Sequence, residues 1–152
     1  MENMEVTIGK KVVALKFNFK ALFNANRDFS NVDDKGNNLG DGATNLFTRI
    51  LMGDTSVIPD VIKVAGDIGK ASNDDIFAAV DELTEDGAKI DETLDTLKDE
   101  LKNSGFFKKS IMTQKGNIEE ALPNLKKKEQ TAEVKQQVST VERILKLLND
   151  NL

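Results

Sequence analysis

The sequence predicts an α+β fold that is mainly α: an N-terminal β-hairpin packed on a bundle of short helices, with a coiled-coil-like helix at the C-terminus. Three observations predict it. Apolar residues alternate with a period of two only between Met4 and Phe17, and thereafter recur every three or four residues. Glycine, asparagine and aspartate gather between the periodic stretches, most densely at residues 30–42. The chain closes on apolar residues spaced four and three apart, from Val134 to Leu152.

The elements follow in order. Met4, Val6 and Ile8 share one face of a strand, Gly9-Lys10 makes a two-residue turn, and Val13, Leu15 and Phe17 share one face of the return strand. Val12 and Ala14 add apolar surface to the other face. A lone hairpin is marginal in water, so this one must lie against the helices. Phe19, Leu22, Phe23 and Asn26 fall on one helical face. Five of the eight phenylalanines lie between Phe17 and Phe47, which predicts an aromatic core at this end. Residues 30–42 read as a mobile surface loop. It is a poor calcium loop, because Lys35 stands at a ligand position and no glutamate closes it. Gly36, Gly40 and Gly42 lack the preceding strand and the spacing of a phosphate cradle.

Residues 43–52 and 55–65 read as two short helices parted at Gly53-Asp54, with Pro59 near the start of the second, where proline is tolerated. Residues 72–109 read as a helix pair. Ser72 caps the first helix, and Asp74 and Asp75 set negative charge at its positive end. Its apolar stripe is Ile76, Phe77, Val80 and Leu83; that of the second helix is Ile90, Leu94, Leu97 and Leu101. Gly105 is expected to end the second helix in a left-handed conformation. A further helix over residues 110–125 is expected to break near Gly116 and stop at Pro123.

Lys126-Lys127-Lys128-Glu129-Gln130 is a polar break, dividing a body (residues 1–125) from a C-terminal amphipathic helix (126–152). The seam of that helix is Val134, Val138, Val141, Leu145, Leu148 and Leu152, widened by Ile144 and Leu147. Such a helix needs a surface, either its own body or another helix. The polar break favours a second copy or a foreign helix, hence a homo-oligomer or a partner complex. Val134, Val138, Val141, Leu145 and Leu148 are therefore the candidate interface residues. Phe106 and Phe107 join them if exposed, although burial is the favoured outcome for both.

Composition removes several functions. There is no cysteine and no histidine among the 152 residues, so ordinary zinc sites and Cys/His nucleophile pairs are excluded, and no cofactor or metal is expected. No paired-carboxylate motif replaces them, and the chain reads as a non-enzyme. A net charge of −5 speaks against nucleic acid as a partner. No apolar run is long enough to cross a bilayer and no leader profile opens the chain, so a cytoplasmic home without membrane contact is expected.

Taken together, the parts resemble the tail assembly chaperones of long-tailed phages and prophages of Gram-positive bacteria. The matching stretches are Glu5-Val6-Thr7-Ile8-Gly9-Lys10 leading into Leu15-Lys16-Phe17-Asn18-Phe19, the helix from Val57 to Ala65 followed by Ser72-Asn73-Asp74-Asp75-Ile76, and Leu101-Lys102-Asn103-Ser104-Gly105-Phe106-Phe107. The likeness spans about residues 4–108. It implies a non-catalytic protein of the bacterial cytoplasm that binds the helical tape-measure protein, keeps it soluble, helps recruit tail-tube protein, and leaves before the virion is complete. It also implies a second, frameshifted length in many members, for which the Lys126-Lys127-Lys128 run is a candidate slip site. The alternative is a self-associating coiled-coil adaptor unrelated to phage.

Overall fold

A computed structural model describes residues 4–152. The hairpin pairs β1 (Glu5–Ile8) with β2 (Lys11–Ala14) in antiparallel register, Val6 opposite Val13 and Ile8 opposite Lys11. Gly9 turns the chain at φ +64°, and Lys10 keeps a negative φ, the pattern of a turn whose twist matches the strands. Val6, Ile8, Val13 and Leu15 are buried. On the other face Val12 is 65% exposed.

Seven helices follow: α1 (Phe19–Asp28), α2 (Gly42–Leu51), α3 (Val57–Ala65), α4 (Asn73–Leu83), α5 (Ile90–Asn103), α6 (Gly105–Lys127) and α7 (Ala132–Asn151). The hairpin leans on α4, where the Thr7 hydroxyl donates to the Glu82 carboxylate at 3.3 Å. At the centre, α2 packs against α1, α3, α5, α6 and α7, with Leu46 and Phe47 fully buried. Seven of its ten residues are buried, Thr44 and Thr48 among them, and the Thr48 hydroxyl donates to the Thr44 carbonyl at 2.8 Å.

The approach of α1 to α2 rests on small residues. Ala21 and Ala25 form the buried face of α1, and Gly42 lies so close that a Cβ there would sit 1.9 Å from the Ala25 carbonyl oxygen. That contact rotates α1 away from the expected face. Phe19 and Phe23 are 59% and 56% exposed, so the expected aromatic core holds Phe47, with Phe17 and Phe29 packed against it, and leaves these two outside. Phe77 departs in the same way. On α4 the core takes Ile76 and Ala79, and Phe77 is exposed.

Residues 30–41 form the expected surface loop, held by its own side chains. The Asp33 carboxylate accepts from the backbone N–H groups of Lys35 and Asn37 and from the Asn37 amide, which keeps its pKa below the ordinary carboxylate range. Ser72 caps α4 as read from sequence. Its hydroxyl accepts from the Asp75 N–H at 3.1 Å while the Asp75 carboxylate accepts from the Ser72 N–H at 3.3 Å. Ser72→Ala is expected to lower stability by about 1 kcal/mol, read as a lower urea midpoint at unchanged slope.

The breaks expected at Gly116 and Pro123 are absent, and α5 ends as expected beside Gly105 but without a left-handed glycine. Gly105 begins α6, because Ser104 ends α5 and caps α6 at once: its hydroxyl accepts from the Phe107 N–H and donates to the Phe17 carbonyl at 2.7 Å. The helix then runs through Gly116 and Pro123 to Lys127. Proline deprives the Glu119 carbonyl of a donor, a cost of about 3 kcal/mol in a helix interior. Both residues are exposed, so water can serve that carbonyl, and α7 packs along the same stretch. The polar break expected at residues 126–130 falls at 128–131, with Lys126 and Lys127 closing α6, and this connection turns α7 back on α6.

Candidate partner-binding surfaces

Two surfaces carry the residues singled out by the sequence. The first is aromatic. Phe106 and Phe107 are adjacent at the start of α6, and helical geometry sends them to different places. Phe107 is fully buried and meets Phe17 edge-on, with ring centroids 6.0 Å apart. Phe106 is 49% exposed and meets Phe19 edge-on at 5.7 Å. Phe23 lies one turn beyond Phe19, with the Arg27 guanidinium 5.8 Å above its ring. Arg27 also binds the Asp28 carboxylate at 2.8 Å, and this hydrogen bond holds Asp28 below its usual pKa. The pair is exposed and adds little to stability. Along α1 runs an open trough of about 400 Å³, lined by Phe19, Leu22, Phe23, Asn26, Arg27 and Asn38. Asn38 closes its far end by donating to the Asn26 carbonyl at 2.8 Å.

The second surface is the heptad seam, which lies against α6 of the same chain. Its two ends differ. Leu148 is fully buried and joins the main core together with Ile144 and Leu152. Leu145 is buried outside that core, and Val134, Val138 and Val141 are only half-buried. Val141 shares a small trough with Ala121, Leu122 and Leu125 of α6. One ion pair joins the helices here, Lys126 to Glu142 at 3.6 Å, and it is exposed.

The sequence favoured burial for both Phe106 and Phe107 and put Phe19 and Phe23 in the core; burial holds for Phe107 alone, and Phe106, Phe19 and Phe23 are exposed. The available signal was the Ala21/Ala25 pair on the opposite face of the same helix, with Gly42 downstream to receive it. Among the described residues no group of three or more acidic side chains is arranged to hold a metal ion, and no helix is long and apolar enough to cross a membrane.

The family profile described as "Phage tail assembly chaperone protein, TAC" matches residues 5–115. The chain belongs to the phage tail assembly chaperone family. Its role is therefore in tail assembly, and the alternative of an adaptor unrelated to phage falls away. The matched stretch takes in the hairpin, the first five helices and the anchored half of α6. It ends before the tip of α6 and all of α7, so the aromatic strip lies inside the family match and the seam outside it. Comparison with curated proteins and with solved structures gives no match.

Proposed function

We propose that this chaperone is a non-catalytic protein of the bacterial host cytoplasm that binds the helical tape-measure protein of its phage and helps recruit tail-tube subunits. The observation that carries the reading is the strip formed by Phe19, Phe23 and Phe106. Three half-exposed aromatic rings beside an open trough are a costly surface to leave in water, and they suit the apolar stripe of an amphipathic helix. A tape-measure protein is a long helix with such stripes, and covering them reversibly keeps it from aggregating. The half-buried outer seam, Val134, Val138 and Val141, is the favoured place for self-association, because α6 alone covers it.

The test is co-purification of the tagged chain with the long helical protein of the same phage. Replacing Phe19, Phe23 and Phe106 together by serine is expected to reduce capture by about tenfold or more while leaving the fold intact, since buried aromatic anchors dominate interface energy. Serine at Val134 and Val138 is expected to spare capture and to lower the oligomeric state seen by sedimentation. Capture lost only with the seam variant would move the partner site to α7. An absence of capture by the unmodified chain would remove the tape-measure reading.

A further inference from the structure

The outer edge of β2 carries backbone groups that the fold does not use. Ile8 and Lys11 flank a two-residue turn, so the hydrogen-bonded pairs of the ladder are Ile8–Lys11 and Val6–Val13. The alternation continues in the Leu15 N–H, which donates to the Met4 carbonyl at 2.8 Å. Val12 and Ala14 therefore turn both N–H and C=O away from β1, and no partner takes them among the described residues. Lys16, next in the same alternation, does find one: its N–H donates to the Ala65 carbonyl at the end of α3, at 2.9 Å. So α3 covers this edge at Lys16 and leaves it open at Val12 and Ala14.

A cleft of about 320 Å³ runs beside the open edge. Its apolar wall includes Ala21, Val64 and Ala65, and its cations are Lys11, Lys16 and Lys20, against a single acid, Asp67. In a chain of net charge −5 this is a local reversal of sign. We propose that the β2 edge accepts an extended acidic segment of a partner protein as an added strand, with apolar side chains in the cleft and carboxylates against Lys11, Lys16 and Lys20.

The charges choose the occupant. A second copy pairing edge to edge would bring the same lysines into opposition, which is how natural edge strands discourage self-pairing. A helix cannot use the edge, because its own backbone groups are already paired. An extended segment supplies what Val12 and Ala14 lack, and acidic side chains gain where a copy would be repelled. The site is thus distinct in chemistry from the aromatic strip, whose occupant is helical.

The probe is a short peptide alternating valine and glutamate, titrated into the isotope-labelled full chain and followed by amide NMR, beside a peptide with lysine in place of glutamate. Saturable shifts confined to residues 11–20 and 64–67 are expected for the glutamate peptide alone, weakened by salt. Amide exchange at Val12 and Ala14 should slow by about tenfold or more as they gain partners. Val12→Pro removes an outward N–H that the hairpin does not use and should weaken binding by about tenfold. Lys16→Glu with Lys20→Glu should reverse the preference between the peptides, which keeps the test valid if the proline variant misfolds. Equal binding of both peptides, or no saturation, overturns the proposal. So does protection of Val12 and Ala14 in the free chain that vanishes on dilution, since it would give the edge to a second copy.

Discussion

Gly42→Ala is expected to destabilise the chain by about 3 kcal/mol, the upper end for an inserted methyl group. The obstacle is backbone: besides the Ala25 carbonyl oxygen at 1.9 Å, the added carbon would meet the Ala25 carbonyl carbon at 2.6 Å and the Asn26 Cα at 2.9 Å. No rotamer change relieves it, and trimming Ala25 to glycine leaves the carbonyl where it is. The two helices are also stapled at this point. The Gly42 N–H donates to the Ser30 hydroxyl at 2.8 Å, the Ala43 N–H to the Asn26 side-chain oxygen at 3.0 Å, and the Asn45 amide to the Phe29 carbonyl at 2.8 Å. Helix α1 can retreat only by stretching these bonds. Thermal unfolding should fall by roughly 6–12 °C for a chain of this size. An unchanged midpoint would mean that α1 slides over α2 without cost, and the close packing would lose its assigned role.

Phe107→Ala is expected to cost about 3–5 kcal/mol, whereas Phe106→Ala costs about 1 kcal/mol or less. Phe107 is fully buried in a core with Phe17 and Ile111, and its removal leaves a cavity that the flanking helices cannot collapse. Phe106 loses only its edge contact with Phe19 and surface already half in water. The contrast reverses for binding: Phe106→Ala should weaken partner capture at nearly full stability. Urea denaturation beside co-purification separates the two effects. Equal stability losses at both positions would sink the division of the pair into a core residue and a surface residue.

Much of this fold could be read from local chemistry. Alternation at Val6, Ile8, Val13 and Leu15 assigns the hairpin face because a strand has only two faces to choose between. The Ser72-x-x-Asp75 cap and the α5 stripe of Leu94, Leu97 and Leu101 are equally local. What escaped depends on residues distant in sequence. Phe19 and Phe23 form the more apolar side of α1, yet the core takes Ala21 and Ala25, because Gly42 allows a backbone approach that rings would block. Gly105 and Pro123 carry the ordinary marks of helix ends. At Gly105 α5 does end, but a capping serine tied to Phe17 makes the glycine the first residue of α6; at Pro123 packing against α7 overrides the mark, so intrinsic propensity yields to tertiary context. Of this surface, Phe106 entered the sequence reading only on condition of exposure, with burial favoured, and its companions on α1 were read as core, since which side of α1 faces water is decided by α2.

The two ends of α6 are held by different means. Phe107 and Ile111 root its first turns in the main core, but Leu122 and Leu125, toward its far end, stand outside that core, in the small trough shared with Val141 of α7. A single rod is thus rooted in two separate apolar clusters. The tip, with the outer half of α7, is expected to show faster amide exchange than the family-matched body. Proteases would find their first cut there, and the body left behind would still carry the aromatic strip and the open β2 edge.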